Sequence, residues 1–168
     1  MVRGAWCVGV LAAGVGLAAG CTRLGGVRPR LEPFPSDSAL SLATPAPDVI
    51  RAVVAELVST GVPVLIVTPV EGYVESRWYD VERHAAGKAG RRLAHTVKLR
   101  FYADPVAGRT RLVAECAWQV IVDPSRPPRE LERPVPAGHP GRALLDSVVA
   151  RTMRRLGEHA DSTAHTVP

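Results

Sequence analysis

The chain has 168 residues, 46% of them apolar, 22% charged and 5% aromatic. That supplies one modest core with tails, excludes two full domains, and is too apolar for a wholly disordered protein. The formal charge of +5 is spread along the sequence instead of gathered into one basic block, so charge by itself selects no ligand class.

Arg3 opens a short basic segment, and residues 5–19 are apolar or small throughout, the layout of a secretory signal. As a helix this run reaches about 22 Å against a hydrocarbon core of about 30 Å, and its glycines weaken it further. A membrane span is therefore not expected. Leu17-Ala18-Ala19-Gly20-Cys21 resembles the lipobox of bacterial lipoproteins, with small residues leading into a cysteine. The resemblance implies that residues 1–20 are cleaved off and that the Cys21 thiolate takes the diacylglyceryl group. Two or three acyl chains, palmitate among them, exceed the one-chain threshold for stable membrane anchoring. Thr22 stands where lipoproteins retained at the inner membrane commonly carry Asp, which by the same resemblance implies the outer membrane, facing the periplasm.

Of the three cysteines, Cys7 leaves with the signal and Cys21 is capped by lipid. One thiol remains, so no intrachain disulfide is expected. Cys116 sits in an alternating segment with Leu112, Ala114, Trp118, Val120 and Val122 on its side, the setting of a small buried hydrophobe.

Residues 21–46 carry Pro29, Pro33, Pro35 and Pro45 without a sustained apolar period. They read as a tether that, if extended, reaches as much as roughly 75 Å from the membrane; Leu40 and Leu42 docking as a short strand would shorten it. The folded domain is expected over 47–157, with a frayed tail at 158–168. Pro47 and Asp48 open a helix, and Val49, Ile50, Val53, Val54, Leu57 and Val58 recur at helical spacing up to Gly61. Val64–Val67 is dense enough for a strand. Tyr73–Val81 alternates Val74, Ser76 and Trp78 against Glu75, Arg77 and Tyr79, and the polar stretch 82–92 is a hairpin loop. Val97, Leu99, Phe101 and Ala103 alternate with Lys98, Arg100 and Tyr102. A turn is expected at Asp104-Pro105 with Gly108, and Arg111–Val122 is the longest strand. Residues 123–139, rich in proline, read as a long loop, and Pro140 begins a second helix that Gly157 closes.

The pattern predicts an α+β fold in the order α-β-β-β-β-α, a four-stranded antiparallel meander with both helices packed on one face. Gly72-Tyr73-Val74-Glu75-Ser76-Arg77-Trp78, followed by basic-apolar alternation from Lys98 to Phe101, resembles the repeated domain of the BamC family of outer-membrane assembly lipoproteins. The resemblance, over roughly residues 47–122, implies a helix-grip domain, in which a curved sheet embraces a helix, behind a lipidated N-terminus. That family has two such domains where this chain has room for one, and no functional residues are carried over.

The chain shows no Gly-x-Ser-x-Gly elbow, His-Glu-x-x-His, Cys-x-x-Cys or phosphate-cradling loop, so no catalytic residues, cofactor or metal ligands are assigned. His95 and His139 with Asp123 or Glu132 form no known ligand spacing. Two surfaces are candidates for recognition. If Val97, Leu99, Phe101, Leu112, Trp118 and Val120 face the helices, then Arg77, Tyr79, Lys98, Arg100, Tyr102, Arg111 and Gln119 share the opposite, solvated face, suited to an anionic ligand. The loop with Arg126, Arg129, Glu130, Glu132 and His139 is braced by proline, and such rigidity lowers the entropy lost on docking. An envelope protein, anionic lipid or cell-wall polymer is the expected partner; export argues against nucleic acid. The expected function is that of a lipid-anchored, non-catalytic interaction domain in outer-membrane assembly or scaffolding. The alternative is a carrier of lipid or another small apolar ligand, with Trp78 and Trp118 among its pocket walls. Labelling cells with radioactive palmitate is expected to mark the parent chain and not Cys21→Ser; equal labelling of both would dismiss the lipid attachment.

Overall fold

A computed structural model describes residues 23–24, 27–35, 39–87, 95–119, 121 and 123–158. The signal segment, Cys21, Thr22 and the tail from residue 159 lie outside the described residues, as do the expectations placed on them. The described chain runs β1 (Arg23–Leu24), β2 (Ala39–Leu42), α1 (Ala46–Ser59), β3 (Val64–Thr68), β4 (Tyr73–Ser76), β5 (Tyr79–Asp80), β6 (Ala85–Ala86), β7 (Thr96–Val106), β8 (Arg109–Gln119), α2 (Pro128–Leu131), β9 (Glu132–Pro134) and α3 (Pro140–Leu156). The fold is mixed α+β. Among the described residues, three helices accompany an open sheet in which β2 to β9 pair antiparallel, while the short β1 runs parallel to β3.

The β7–β8 hairpin is the spine, in register from Val106 opposite Arg109 to Lys98 opposite Ala117. Strands β4 and β5 pair with the other side of β7, β3 pairs with β4, and β2 and β9 share the outer edge of β8. Asp104 and Pro105, expected in a turn, belong to β7 instead. The chain reverses at Ala107 and Gly108, with φ of 48° and 78°, and positive φ at both central residues matches the twist of a two-residue hairpin. Pro105 sits close to this end, where the missing N–H costs the ladder little. Gly72 ends the β3–β4 turn for a steric reason: φ is 66°, its carbonyl accepts from the Ala103 N–H at 2.8 Å, and a Cβ would stand 1.9 Å from the Ala103 oxygen.

The strand expected over Tyr73–Val81 is interrupted at Arg77 and Trp78. The Arg77 N–H donates to the Pro63 carbonyl at 2.7 Å, and the alternation slips by one residue across the interruption. Before it, Val74 lies opposite Phe101 on the helix side; after it, Tyr79 lies opposite Val97, again on the helix side. Tyr79 is therefore a buried core residue and leaves the face on which it was expected, while Trp78 passes to that other face, over Lys98.

The core lies between the sheet and the pair α1 and α3. Val49, Ile50, Val53 and Leu57 from α1 meet Leu145, Val148 and Met153 from α3 over Leu99, Phe101, Leu112 and Cys116; each fully buried large side chain contributes about 1.5–3 kcal/mol. Helix α1 starts at Ala46, where the Asp48 and Val49 N–H groups donate to the Pro45 carbonyl. The two helices are also tied by Arg155 and Glu56 at 2.6 Å; this bond holds the Glu56 carboxyl below its ordinary range although burial opposes it.

The largest departure from expectation is at the N-terminus. The stretch read as a tether is folded onto the domain: β1 lies along β3, residues 27–35 cross the sheet face away from the helices, and β2 pairs with β8 from Ala39 opposite Val113 to Leu42 opposite Thr110. Leu42 is fully buried in the core. The prolines of this stretch suit an extended strap that needs few ladder bonds of its own. In urea unfolding, Leu42→Ala is expected to cost about 2–5 kcal/mol, as for a core leucine; a change near zero would return this stretch to a tether.

Candidate functional site

The sheet face away from the helices carries Tyr73 and Glu75 from β4, Lys98, Arg100 and Tyr102 from β7, and Val113 and Glu115 from β8. Arg100 stands directly between Glu75 and Glu115 in the ladder, and Tyr102 between Tyr73 and Val113. This is the face on which exposed basic and aromatic groups were expected. Lys98, Arg100 and Tyr102 do share it, but all three are buried. Arg77 and Arg111 remain exposed: Arg77 falls in the interruption after β4, and Arg111 lies toward the β7–β8 turn.

Arg100 is the centre of this layer. Its Nε donates to Glu75 at 3.1 Å, Nη1 to Glu115 at 2.7 Å, and Nη1 and Nη2 engage both oxygens of Glu132, at 2.7 and 2.8 Å. Lys98 Nζ lies 3.0 Å from Glu75, 3.5 Å from Glu132 and 4.7 Å from the centre of the Trp78 ring. Arg129 binds Glu115 through both terminal nitrogens and reaches Glu132 at 3.4 Å. The Tyr73 hydroxyl donates to Glu75 at 2.5 Å. Three carboxylates thus meet three cations in a layer that is nearly dry.

Burial alone would neutralise these acids, yet both Glu75 and Glu132 sit below the ordinary carboxylate range. Desolvation raises Glu75, but Arg100, Lys98 and the Tyr73 hydroxyl together outweigh it; desolvation raises Glu132, but the Arg100 hydrogen bonds and the charges of Arg100, Lys98 and Arg129 outweigh it. Arg100 is pushed up for the reciprocal reason: burial opposes its charge, and Glu132, Glu75 and Glu115 override burial. Desolvation, with the neighbouring carboxylates, drives both tyrosines up and keeps them neutral. The Tyr102 hydroxyl is buried with no hydrogen-bond partner among the described residues.

The layer is roofed by two segments. Arg28 lies over the Tyr102 ring and pairs with Asp104 at 2.5 Å, and its backbone N–H donates to Glu71. Further along, Arg129 stacks over the Phe34 ring at 4.1 Å and donates to the Glu32 carbonyl at 2.6 Å. The second segment is the stretch 123–139. Instead of a loop without elements, it contains α2 and β9, and β9 pairs with the end of β8 from Ala117 opposite Pro134 to Gln119 opposite Glu132. Its five candidate residues separate. Glu132 is wholly buried and Arg129 partly so, both inside the ionic layer. Arg126 and Glu130 form an exposed pair at 3.0 Å, which is worth little to stability. His139 caps α3, its Nδ1 accepting the Gly141 N–H at 3.0 Å, with its ring against Trp118.

Glu75 and Glu115 are the members not singled out from the sequence. Their signal was present: both fall on the Lys98–Arg100 side of the alternation, and opposite charges on facing strands pair across a sheet. Cys116 is buried on the helix side, its Sγ donating to the Gly141 carbonyl at 3.4 Å. Trp78 and Trp118, expected to wall one pocket, lie on opposite faces of the sheet. At the end of the sheet near the β7–β8 turn is an open groove of about 500 Å³, bordered by Pro45, Pro47, Val70, Ala103, Arg28 and Arg109. No group of acidic, histidine or cysteine side chains suited to a metal occurs among the described residues. No protein-family model matches the chain, and a search of curated proteins finds no significant match.

Removing one member of such a layer strands buried charge of the other sign. Arg100→Leu is expected to lose about 3–5 kcal/mol at pH 7. Glu75 and Glu132 have folded pKa values depressed below the unfolded value of 4.5, so their contribution is present above that value and is lost as pH falls through the lower folded values. The gap between parent and variant in urea unfolding should therefore shrink below about pH 4.5. A pH-independent gap, or none at pH 7, would remove the ionic layer from the account.

Proposed function

We propose that the chain is an exported, lipid-anchored envelope protein whose α+β domain is a non-catalytic interaction module in outer-membrane assembly or scaffolding. The domain is read as helix-grip-like, with β3, β4/β5, β7 and β8 as the meander around α1. Support for that reading comes from α1 and α3 sharing one core cluster against β7 and β8.

The observation that carries the functional reading is the frame of residues 123–139. The Asp123 carboxylate accepts from the Ser125 N–H and hydroxyl at 2.9 and 2.6 Å, β9 is laddered to β8, and Arg129 ties α2 to buried Glu115. Arg126, Glu130 and Arg133 project from this frame into solvent, so a partner can engage them without first ordering a loop, and that saves association entropy. The ionic layer beneath is balanced and roofed, which suits a structural underpinning better than a centre that exchanges protons with a substrate. The sheet face is accordingly withdrawn as the docking surface in favour of the 123–139 frame.

The test is photocrosslinking in the native envelope from a reactive residue at position 137, exposed on the same frame and left untouched by the substitutions. A discrete envelope-protein adduct, lost in Arg126→Ala/Glu130→Ala/Arg133→Ala while the fold persists by circular dichroism, is expected. Adducts unchanged by the triple substitution would reject the frame as a recognition surface.

A further inference from the structure

The path of the chain into the sheet fixes which part of the domain a lipid on Cys21 brings to the bilayer. Arg23 and Leu24 pair with Ile66 and Val67 in β3. Cys21 precedes Arg23 by two residues, a span of at most about 7 Å. The reach of roughly 75 Å that a free tether would allow is therefore not available while β1 is in place. Because β1 is parallel to β3, with Arg23 opposite Ile66, the first residue of β1 is its end nearer the start of β3, the end of the sheet at which α1 finishes.

That corner has an unfilled apolar surface. Val58 is 65% exposed, on the flank of α1 away from α3, with half-buried Val54 one turn earlier on the same flank. The chain then passes through Gly61 and half-buried Pro63 to Leu65, which lies between the register positions Val64 and Ile66, where the β3–β4 ladder is irregular, and is itself only partly buried. Neither Val58 nor Leu65 belongs to a core cluster. Beside them stands exposed Arg77, whose backbone is bonded to Pro63 and whose side chain makes no ion pair among the described residues. A valine and a leucine flanked by an unspent arginine are what a bilayer interface accommodates: apolar groups in the upper acyl region and a cation among anionic headgroups.

We infer that the corner formed by Val58, Pro63, Leu65 and Arg77 is the membrane-contacting surface, seated on anionic lipid by the adjacent anchor. This rests on the lipid anchor proposed above. The opposite end of the sheet, with the β7–β8 turn and Val106, then points away from the bilayer, and the domain is held flush against the membrane.

The experiment uses the chain purified from membranes, with its intact mass measured, and reconstituted in phosphatidylcholine–phosphatidylglycerol vesicles brominated near the carbonyl end of the acyl chains. Val58→Trp and Val106→Trp are compared with the parent, whose own tryptophans give the background, and with each variant carrying Cys21→Ser and produced without residues 1–20, so that Trp6 and the apolar signal are absent from both sets. Val58→Trp is expected to emit further to the blue and to be quenched about twofold or more, as for a group lodged in the interface, while Val106→Trp is not, and Cys21→Ser should abolish the quenching. A lipidated chain in which Val58→Trp is unquenched, or is quenched no more than Val106→Trp, overturns the corner and leaves the anchor standing. Blue-shifted emission that persists in the Cys21→Ser background identifies a protein contact and also overturns it. A mass showing no lipid overturns the anchor, and this inference with it.

Discussion

The structure is organised around one arginine that cannot be solvated. Arg100 lies in the centre of the sheet with its side chain 3% exposed, and a guanidinium so placed requires carboxylates with matching geometry. Glu75 and Glu115 arrive from the strands on either side by simple cross-strand register. Glu132 has to be brought by a separate segment, which accounts for the form of residues 128–134: a single helical turn followed at once by three residues paired to β8. Arg129, one turn before Glu132, completes the charge balance and extends the layer to the strap at Glu32 and Phe34. The pairing of carboxylates on the sheet's second face and the form of residues 128–134 follow from satisfying this side chain, and the strap covers its neighbours Tyr102 and Arg129.

A buried ionic layer of this kind adds less stability than its contacts suggest, because desolvation consumes most of the Coulombic gain. What it supplies is register. Shifting β7 against β4 or β8 by one residue would carry Arg100 into the apolar core and bring Leu99 or Phe101 out to the carboxylates. The strap adds closure. With β1 along β3, residues 27–35 across the charged face and β2 along β8, the described N-terminal residues cover the outer side of β3, part of the outer side of β8 and the polar face, and exposed edges and faces invite association.

The amphipathic helices and the long strands were legible because their signals are local. Val49, Ile50, Val53 and Leu57 announce α1, Pro140 and Gly157 bracket α3, and the alternation of β7 and β8 places Leu99, Phe101, Leu112 and Cys116 on one side. What was not legible depended on tertiary pairing. The one-residue slip at Arg77 and Trp78 reverses the assignment of Tyr79, and nothing in the Tyr73–Val81 alternation signals it. The burial of Lys98 and Arg100 is not legible, because alternation reports which face a residue takes, not whether a distant segment roofs that face. The same reason hides β2 and the strap: Pro29, Pro33 and Pro35 read as a linker, and only contact with Tyr102 and Arg129 reveals them as a cover. The turn at Ala107 and Gly108 was displaced toward Asp104-Pro105 by the stronger turn composition of those two residues, whose place is decided by the β7–β8 register.

The described residues form a charge-balanced module that displays one framed excursion, residues 123–139, with a strap laid across the charged face of its sheet. The claim beneath it is that the charged face of the sheet is sealed. Lys98 reports on this directly, because its amine lies inside the layer between Glu75, Glu132 and the Trp78 ring. Acetylation by a water-soluble amine reagent, followed at Lys98 by peptide mass spectrometry in native buffer and in urea, is the measurement. Lys98 is expected to react far more slowly in the native protein than in the unfolded chain, and to be released when Arg28→Ala and Phe34→Ala loosen the strap. A Lys98 that reacts at the unfolded rate in the native protein would contradict a sealed face and show it to be open.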